Sequence, residues 1–362
     1  MVAPTTMRYQ PDYAVPPGWV LGERLDAMGI SQAEFARRCG RSPKLVSEII
    51  AGSSPVEPAT ALQFERVLGV DAAIWVGIEA DYRLAHAKQR EREQMAEAAE
   101  WAKRFPVDHL VKRGAIPKAA SMGDAALNLL NFFGVASVEV WTGRRTHAAY
   151  AYRHSPTFES APEVLETWLR LGELEAEEIA CEPYNESRFK RALTHIRQLT
   201  ASPSENLLEE PQRLCREAGV ALTAVQPLPK TALSGASRWL NPYKAAIHLT
   251  ARHLRDDQLW FSLFHEAGHL LLHSKKNTFV HEKMNGDDAA EREADQWAAD
   301  FLIPPHAWSE FVDLGSYTRT DVVLFAQEQG IAPGIVVGRL QHEGHVAWSR
   351  FNDLKVKLKW GE

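Results

Sequence analysis

The chain has 362 residues, 45% of them hydrophobic and 24% charged, with a formal net charge of −6. That is globular material too long for one ordinary core of about 100 to 200 residues, so two or three domains are expected. It excludes a membrane span, because no apolar run approaches about 18 residues, and it excludes a globally basic nucleic-acid binder. Residues Met1 to Val15 carry Arg8 and Asp12 and lack the apolar stretch of a secretory leader, so a cytoplasmic chain without a membrane partner is expected. Cys39, Cys181 and Cys215 lie far apart with no CxxC spacing, which offers neither a disulfide framework nor a cysteine zinc site.

After an N-terminal tail (1–16), residues 17–87 read as short helices separated by turn residues. Leu21 to Met28 is amphipathic and stops at Gly29. Ser31 caps a second helix, with Glu34 three residues on completing a capping box, and Gly40 ends it. Ser42 caps a third helix with Pro43 at its first position, and Leu45, Val46, Ile49 and Ile50 face inward before Gly52. Segments from Pro58 to Leu68 and from Asp71 to Ala87 continue the bundle. Two short helices joined by a Gly-containing turn make a helix-turn-helix. In Ser31-Gln32, Gly40, Ser42-Pro43, Gly52 and the Ala72 to Tyr82 segment this module resembles the HigA-type antitoxins of the XRE class. The resemblance implies that Ser42, Lys44, Leu45, Ser47 and Glu48 open a recognition helix in the major groove, while Arg37, Arg38 and Arg41 meet phosphates. It also implies a homodimer on palindromic double-stranded operator DNA. Glu48 would repel phosphates unless it reads a cytosine amino group, so a protein-binding or dimerising bundle is the competing reading.

Residues 88–200 form a helical middle region of unassigned role. Lys88 to about Phe105 is charged and helical, and Ala125 to Phe133 is an apolar helix. Val135 to Trp141 alternates like a strand, while Pro162 to Ile179 and Glu186 to Leu199 are helical. A further domain is expected over 201–315, with a C-terminal helical extension over 316–362. Val220 to Val225, Ser237 to Leu240 and Ala245 to Leu249 read as short strands, with the turn Asn241-Pro242 between the last two.

The informative segment follows, from Arg255 to His273. Asp256 or Asp257 can cap it, and Phe261, Phe264, Gly268 and Leu271 share an apolar face expected in the core. His265 and His269 lie one turn apart and present two imidazoles to one point. Glu266, adjoining His265, can take a proton from water activated by a metal without itself coordinating it. A catalytic zinc needs a third protein ligand. Downstream, a helix from Ala289 to Leu302 carries Glu291 as the natural third ligand, and Asp295, one turn on, can hold a ligand histidine's second nitrogen. Glu293 is the rival, but it points about 200° around the helix from Glu291, so both cannot serve together. His273 sits about 6 Å further along the helix than His269, which suits a surface or supporting role better than ligation.

Trp260 to His273 and Glu291 to Pro304, within Leu207 to Leu340, resemble the ImmA/IrrE family of metallopeptidases, with its aromatic-rich HExxH helix and later helix ending in Leu-Ile-Pro. The resemblance implies a zincin-like domain holding zinc on His265, His269 and Glu291, and the cleavage of repressor or antitoxin proteins. Lys275 stands where a metzincin would place its third histidine. The expected fold class is thus mainly α (α+β), with a helix-turn-helix bundle, a helical middle region and a zinc domain holding a small sheet. The expected function is a DNA-binding regulator with zinc-dependent endopeptidase activity toward a repressor, an antitoxin or itself. The alternative is an antitoxin-like repressor whose zinc domain only senses. Glu266 separates them, because a sensing site has no use for a general base.

Overall fold

The computed structural model describes residues 14–148, 161–202, 207–229, 234–250, 255–273 and 288–357. The chain divides into two compact units, Met1–Ala99 and Glu100–Glu362. Both are dominated by helices, and the mainly α class holds.

In the first unit, α1 (Pro17–Met28), α2 (Gln32–Cys39), α3 (Pro43–Ile50), α4 (Pro58–Leu68) and α5 (Ala72–Met95) enclose Leu21, Phe35, Val46, Phe64 and Trp75, all essentially inaccessible. Each large side chain so buried contributes roughly 1.5–3 kcal/mol of transfer free energy. The Ser31 hydroxyl accepts the Glu34 amide and the Ser42 hydroxyl accepts the Leu45 amide, so α2 and α3 are both capped as their sequences suggest. Glu34 departs from the expected box: its carboxylate turns to Arg37 and Arg38 instead. Buried Glu79 accepts the Val56 amide at 2.9 Å and the Arg83 side chain at 2.7 Å, pinning the loop before α4. The fifth helix runs on to Met95 before the charged stretch breaks.

The second unit holds α6 (Ala99–Ala102), α7 (Val107–Lys112), α8 (Met122–Phe133), α9 (Val138–Ala148), α10 (Pro162–Glu178), α11 (Glu186–Leu199), α12 (Glu209–Glu217), β1 (Val220–Val225), β2 (Gly235–Asn241), β3 (Lys244–Thr250), α13 (Asp256–Leu272), α14 (Asp288–Leu302), α15 (Pro305–Val312), α16 (Arg319–Gln329) and α17 (Pro333–His342). The strand expected over Val135 to Trp141 does not form: residues 135–137 are irregular and α9 begins at Val138. Its alternating valines mimic a strand, but the Ser137 hydroxyl accepts the Val140 amide and Trp141 packs edge-on against Trp101 and Phe105, which a helix permits.

The sheet has the order β1-β3-β2, with β1 parallel to β3 and β2 antiparallel at the edge. Alternation gives it two faces. Leu222, Ala245, Ile247 and Leu249 join the large core beneath α13. Ala221, Ala246 and His248 lie on the other face, under α10. Neither Asp256 nor Asp257 caps α13. Arg255 is the N-cap residue, both aspartates lie in the first turn, and the carbonyl of Val356 accepts the Asp256 amide at 3.0 Å. The core face of α13 is also rotated from expectation. Trp260, Leu263, Phe264, Ala267 and Leu270 are buried, whereas Phe261 lines a cavity of about 530 Å³ with Asp295, Ile335 and Trp348.

Candidate metal centre and nucleic-acid interface

Two helices make the cluster. Gly268 lets α13 and α14 approach closely, since a Cβ there would stand 3.0 Å from the Trp297 ring and 3.5 Å from the Ala294 backbone. That approach puts His265, His269 and Glu291 together: one ligand atom from each lies within 4.8 Å of the others, and among the described residues they are the group of metal-ligating side chains so arranged. Nε2 of His265 is 3.0 Å from Nε2 of His269 and 3.3 Å from Glu291 Oε2, and His269 Nε2 is 3.5 Å from Glu291 Oε1.

These spacings suit a metal. Donors about 2.0–2.2 Å from a tetrahedral zinc are separated by about 3.3–3.6 Å, close to the edges of this triangle. Two imidazole nitrogens facing each other can share only one proton, whereas a cation between them satisfies both lone pairs. The electrostatics agree. Burial opposes protonation of His265, yet hydrogen bonds to Asp295 and Glu291 and the charge of Glu266 push its pKa up to about 10. Burial would raise Glu291, but hydrogen bonds from His265 and His269 hold its carboxyl well below the usual carboxylate range. Positive charge is therefore favoured at this point.

Asp295 Oδ1 is 2.8 Å from His265 Nδ1, the nitrogen turned away from the triangle. Glu293 stays out of the triangle and lies near His273. Glu266 is buried at 7% exposure beside His265, outside the triangle, with its Cγ and Oε1 against Gly235 at the start of the edge strand β2. A Cβ at Gly235 would come 3.0 Å from that Cγ, so this glycine leaves room for the carboxylate. Sequence reasoning missed Gly235, because nothing in a strand pattern says which residue will face a helix that begins about twenty positions later.

On the first unit, Ser42, Lys44 and Ser47 are exposed at the start and along the outer side of α3. Arg37, Arg38 and Lys44 are exposed cations, each within reach of a carboxylate: Glu34 for both arginines and Glu48, at 3.8 Å, for the lysine. Arg41 Nε donates to Gln63 Oε1 at 2.6 Å, and Glu48 accepts from Ser54. Leu45 is half-buried and packs on the unit's core, so it presents little to a groove.

Residues 221–341 match the family model described as the IrrE N-terminal-like domain, and residues 21–75 match a helix-turn-helix model. The chain joins an XRE-type helix-turn-helix domain to an IrrE/ImmA peptidase-family domain. The peptidase-family match contains the whole triangle, Glu266 and Asp295. The chain is 29% identical over 73 residues to the uncharacterized HTH-type transcriptional regulator YddM of Escherichia coli K12, covering 20% of this chain and 78% of YddM. Among solved structures, the Pseudomonas aeruginosa antitoxin HigA with the higBA promoter is 26% identical, over 23% of this chain and 90% of that one, with a TM-score of 0.22. PA4674 of the same organism, in complex with its operator DNA, is 29% identical over 22% and 94%, with a TM-score of 0.21. No described helix is long and apolar enough to cross a membrane.

Proposed function

We propose that the protein is a DNA-binding regulator whose peptidase-family domain is a zinc-dependent endopeptidase, hydrolysing a peptide bond in a repressor, an antitoxin or its own chain. His265, His269 and Glu291 hold the zinc, and Asp295 orients His265 through Nδ1. When bound, zinc would supply Lewis acidity to a carbonyl and to water. Glu266 takes the proton of the attacking water and hands it to the departing amine. Among the described strands β2 lies at the sheet edge beside that carboxylate, a position that suits an extended peptide. The DNA half of the proposal places Arg37, Arg38, Arg41 and Lys44 near phosphates and the exposed side of α3 in the major groove, as a dimer on a palindromic site.

The observation that carries the enzymatic reading is the placement of Glu266, a buried carboxylate adjoining the His-His-Glu triangle yet outside it. A sensory site would leave that burial without a return. Glu266→Gln tests it. The variant is expected to keep its zinc and fold while cleavage of a co-expressed cognate regulator, or of the chain itself, falls by about 10²- to 10⁴-fold. Mass spectrometry of the fragments at equal zinc content is the measurement. Equal fragments from both proteins would remove Glu266 as the base, and fragments from neither would favour the antitoxin-like repressor with a sensing site.

A further inference from the structure

We propose that His273, backed by Glu293, is a positioning residue that fixes the tautomer and orientation of His269. This rests on the metal reading above. An ideal helix would carry His273 about 6 Å beyond His269 along the axis. That rise still lets rings one turn apart touch, as His265 and His269 do at 4.6 Å between centroids; the chain leaves the helix only at His273, with φ −101° and ψ 145°, and its amide still donates to the His269 carbonyl at 3.2 Å. The rings of His269 and His273 come to lie 5.1 Å apart between centroids, and Nδ1 of His273 stands 3.1 Å from Nδ1 of His269. On the far side, His273 Nε2 is 3.4 Å from Glu293 Oε2, within ion-pair range though outside hydrogen-bond geometry.

The proton positions along this row are not independent. His269 turns Nε2 into the triangle, and a nitrogen that binds a metal must offer its lone pair, so the ring's proton sits on Nδ1. That N–H donates to Nδ1 of His273, which must then be the acceptor. The proton of His273 therefore sits on Nε2, the ring nitrogen nearer the Glu293 carboxylate. With His269 Nε2 on the metal, the His269–His273 contact favours one tautomer of each ring, and the carboxylate at the end favours that choice electrostatically. The two ligand histidines are thus held by different means: His265 directly by Asp295, and His269 through a neutral ring backed by Glu293. Ligation by His273 itself is disfavoured, because its near nitrogen faces Nδ1 of His269, the side of that ring opposite the triangle. The row also gives Glu293 a place that its angle from Glu291 on α14 denies it among the ligands.

Loss of such a partner typically weakens metal binding by about 10- to 100-fold. Competition against a chromophoric chelator should show His273→Phe holding zinc less tightly by that factor. Its cobalt(II)-substituted form should show a shifted visible spectrum. His273→Asn, whose Oδ1 can occupy the place of Nδ1 and accept the same proton, should recover most of the affinity. Glu293→Gln, on an exposed side chain whose replacement should not disturb folding, should weaken zinc by a few-fold in the wild-type background and by nothing in the His273→Phe background. Zinc affinity within twofold of wild type in either His273→Phe or Glu293→Gln overturns the inference, as does a Glu293 effect that persists without His273. If His273→Phe fails to fold, judged by thermal unfolding of the metal-free protein, Glu293→Gln and His273→Asn decide the matter. A wild-type protein that binds no zinc would overturn the metal reading itself, and this inference with it.

Discussion

His248 stands at the middle of β3 with no exposure, its Nδ1 2.7 Å from the Thr223 hydroxyl and its Nε2 without a hydrogen-bond partner among the described residues. Gly172 of α10 lies so close that a Cβ would fall 2.6 Å from that ring, and Trp168 meets it edge-on. Burial, with a smaller contribution from Arg238, pushes the imidazole pKa down to about 3. The unfolded chain therefore binds a proton that the folded one refuses between about 6.5 and 3, so this stability is present above 6.5 and lost as pH falls. Between pH 7 and pH 5 the loss attributable to His248 is on the order of 2 kcal/mol. Asp256 acts in the opposite sense: burial raises its pKa to about 6, and acidification relieves the penalty on its ionised form. The comparison must therefore be with a variant rather than with a second pH alone. Urea unfolding of His248→Gln is expected to show a smaller stability difference between pH 7 and pH 5 than wild type; an unchanged difference would show that the histidine protonates in place. At this scale the ligands were legible because a four-residue spacing on one helix is a local pattern. His248 was not, because an alternating strand does not reveal which face will be covered by α10, more than seventy residues earlier in the chain.

The helix that carries the two histidines is held at its N-terminus by residues near the end of the described chain. Lys355 Nζ is 2.6 Å from Asp257 Oδ2 and 2.7 Å from Gln341 Oε1, with both ionic partners almost fully buried, and the Val356 amide donates to Asp256 Oδ1 at 2.9 Å. The fit leaves no room on α17, where a Cβ at Gly334 would come within 2.8 Å of Asp256 Oδ1 and one at Gly338 within 3.1 Å of Asp257 Oδ2. Truncating one member of a buried pair strands the other charge, so Lys355→Met should destabilise the domain by about 3–5 kcal/mol. The double replacement Lys355→Met, Asp257→Leu should recover much of that, a coupling that chemical unfolding of the four proteins would measure. Additive losses would mean that the pair does not hold the helix. The boundaries of α13 and α14 were readable from periodicity and from Pro304-Pro305, but the clasp on α13 was not, since it joins residues about a hundred positions apart. The misread Val135 to Trp141 segment failed for a related reason. Valine alternation is a weak local preference, and the aromatic packing of Trp141 against Trp101 and Phe105 outweighs it.

The sequence sets residues 88–200 apart as a middle region between the helix-turn-helix bundle and the zinc domain, whereas the structure has two compact units and the second takes in most of that stretch. What the first unit does with DNA has a quantitative consequence for the whole chain. Its formal net charge of −6 gives no general attraction to a polyanion, so binding must come from a few local cations. Arg37 and Arg38 both lie against Glu34, and Lys44 lies 3.8 Å from Glu48. Exchanging such exposed ion pairs for phosphates sacrifices at most about 1 kcal/mol each. Each phosphate contact contributes about −0.9 to the slope of log affinity against log salt, so Arg38→Ala should flatten that slope by about 1 per protomer, or about 2 for a dimer on a palindrome. Lys44→Ala should do the same. Glu34→Gln carries the opposite sign: it releases Arg37 and Arg38 and removes a repelling charge, so it should tighten binding, most at low salt where surface charges are least screened. Glu266→Gln, which acts in the other domain and alters no cation of α2 or α3, should leave the slope where it was. Titration of fluorescent operator fragments from the upstream region at several salt concentrations reads all four variants in one experiment. A slope near zero in wild type, or slopes that ignore Arg38, Lys44 and Glu34 alike, would turn the first unit into a protein-binding bundle and leave the peptidase-family domain to find its target by another route.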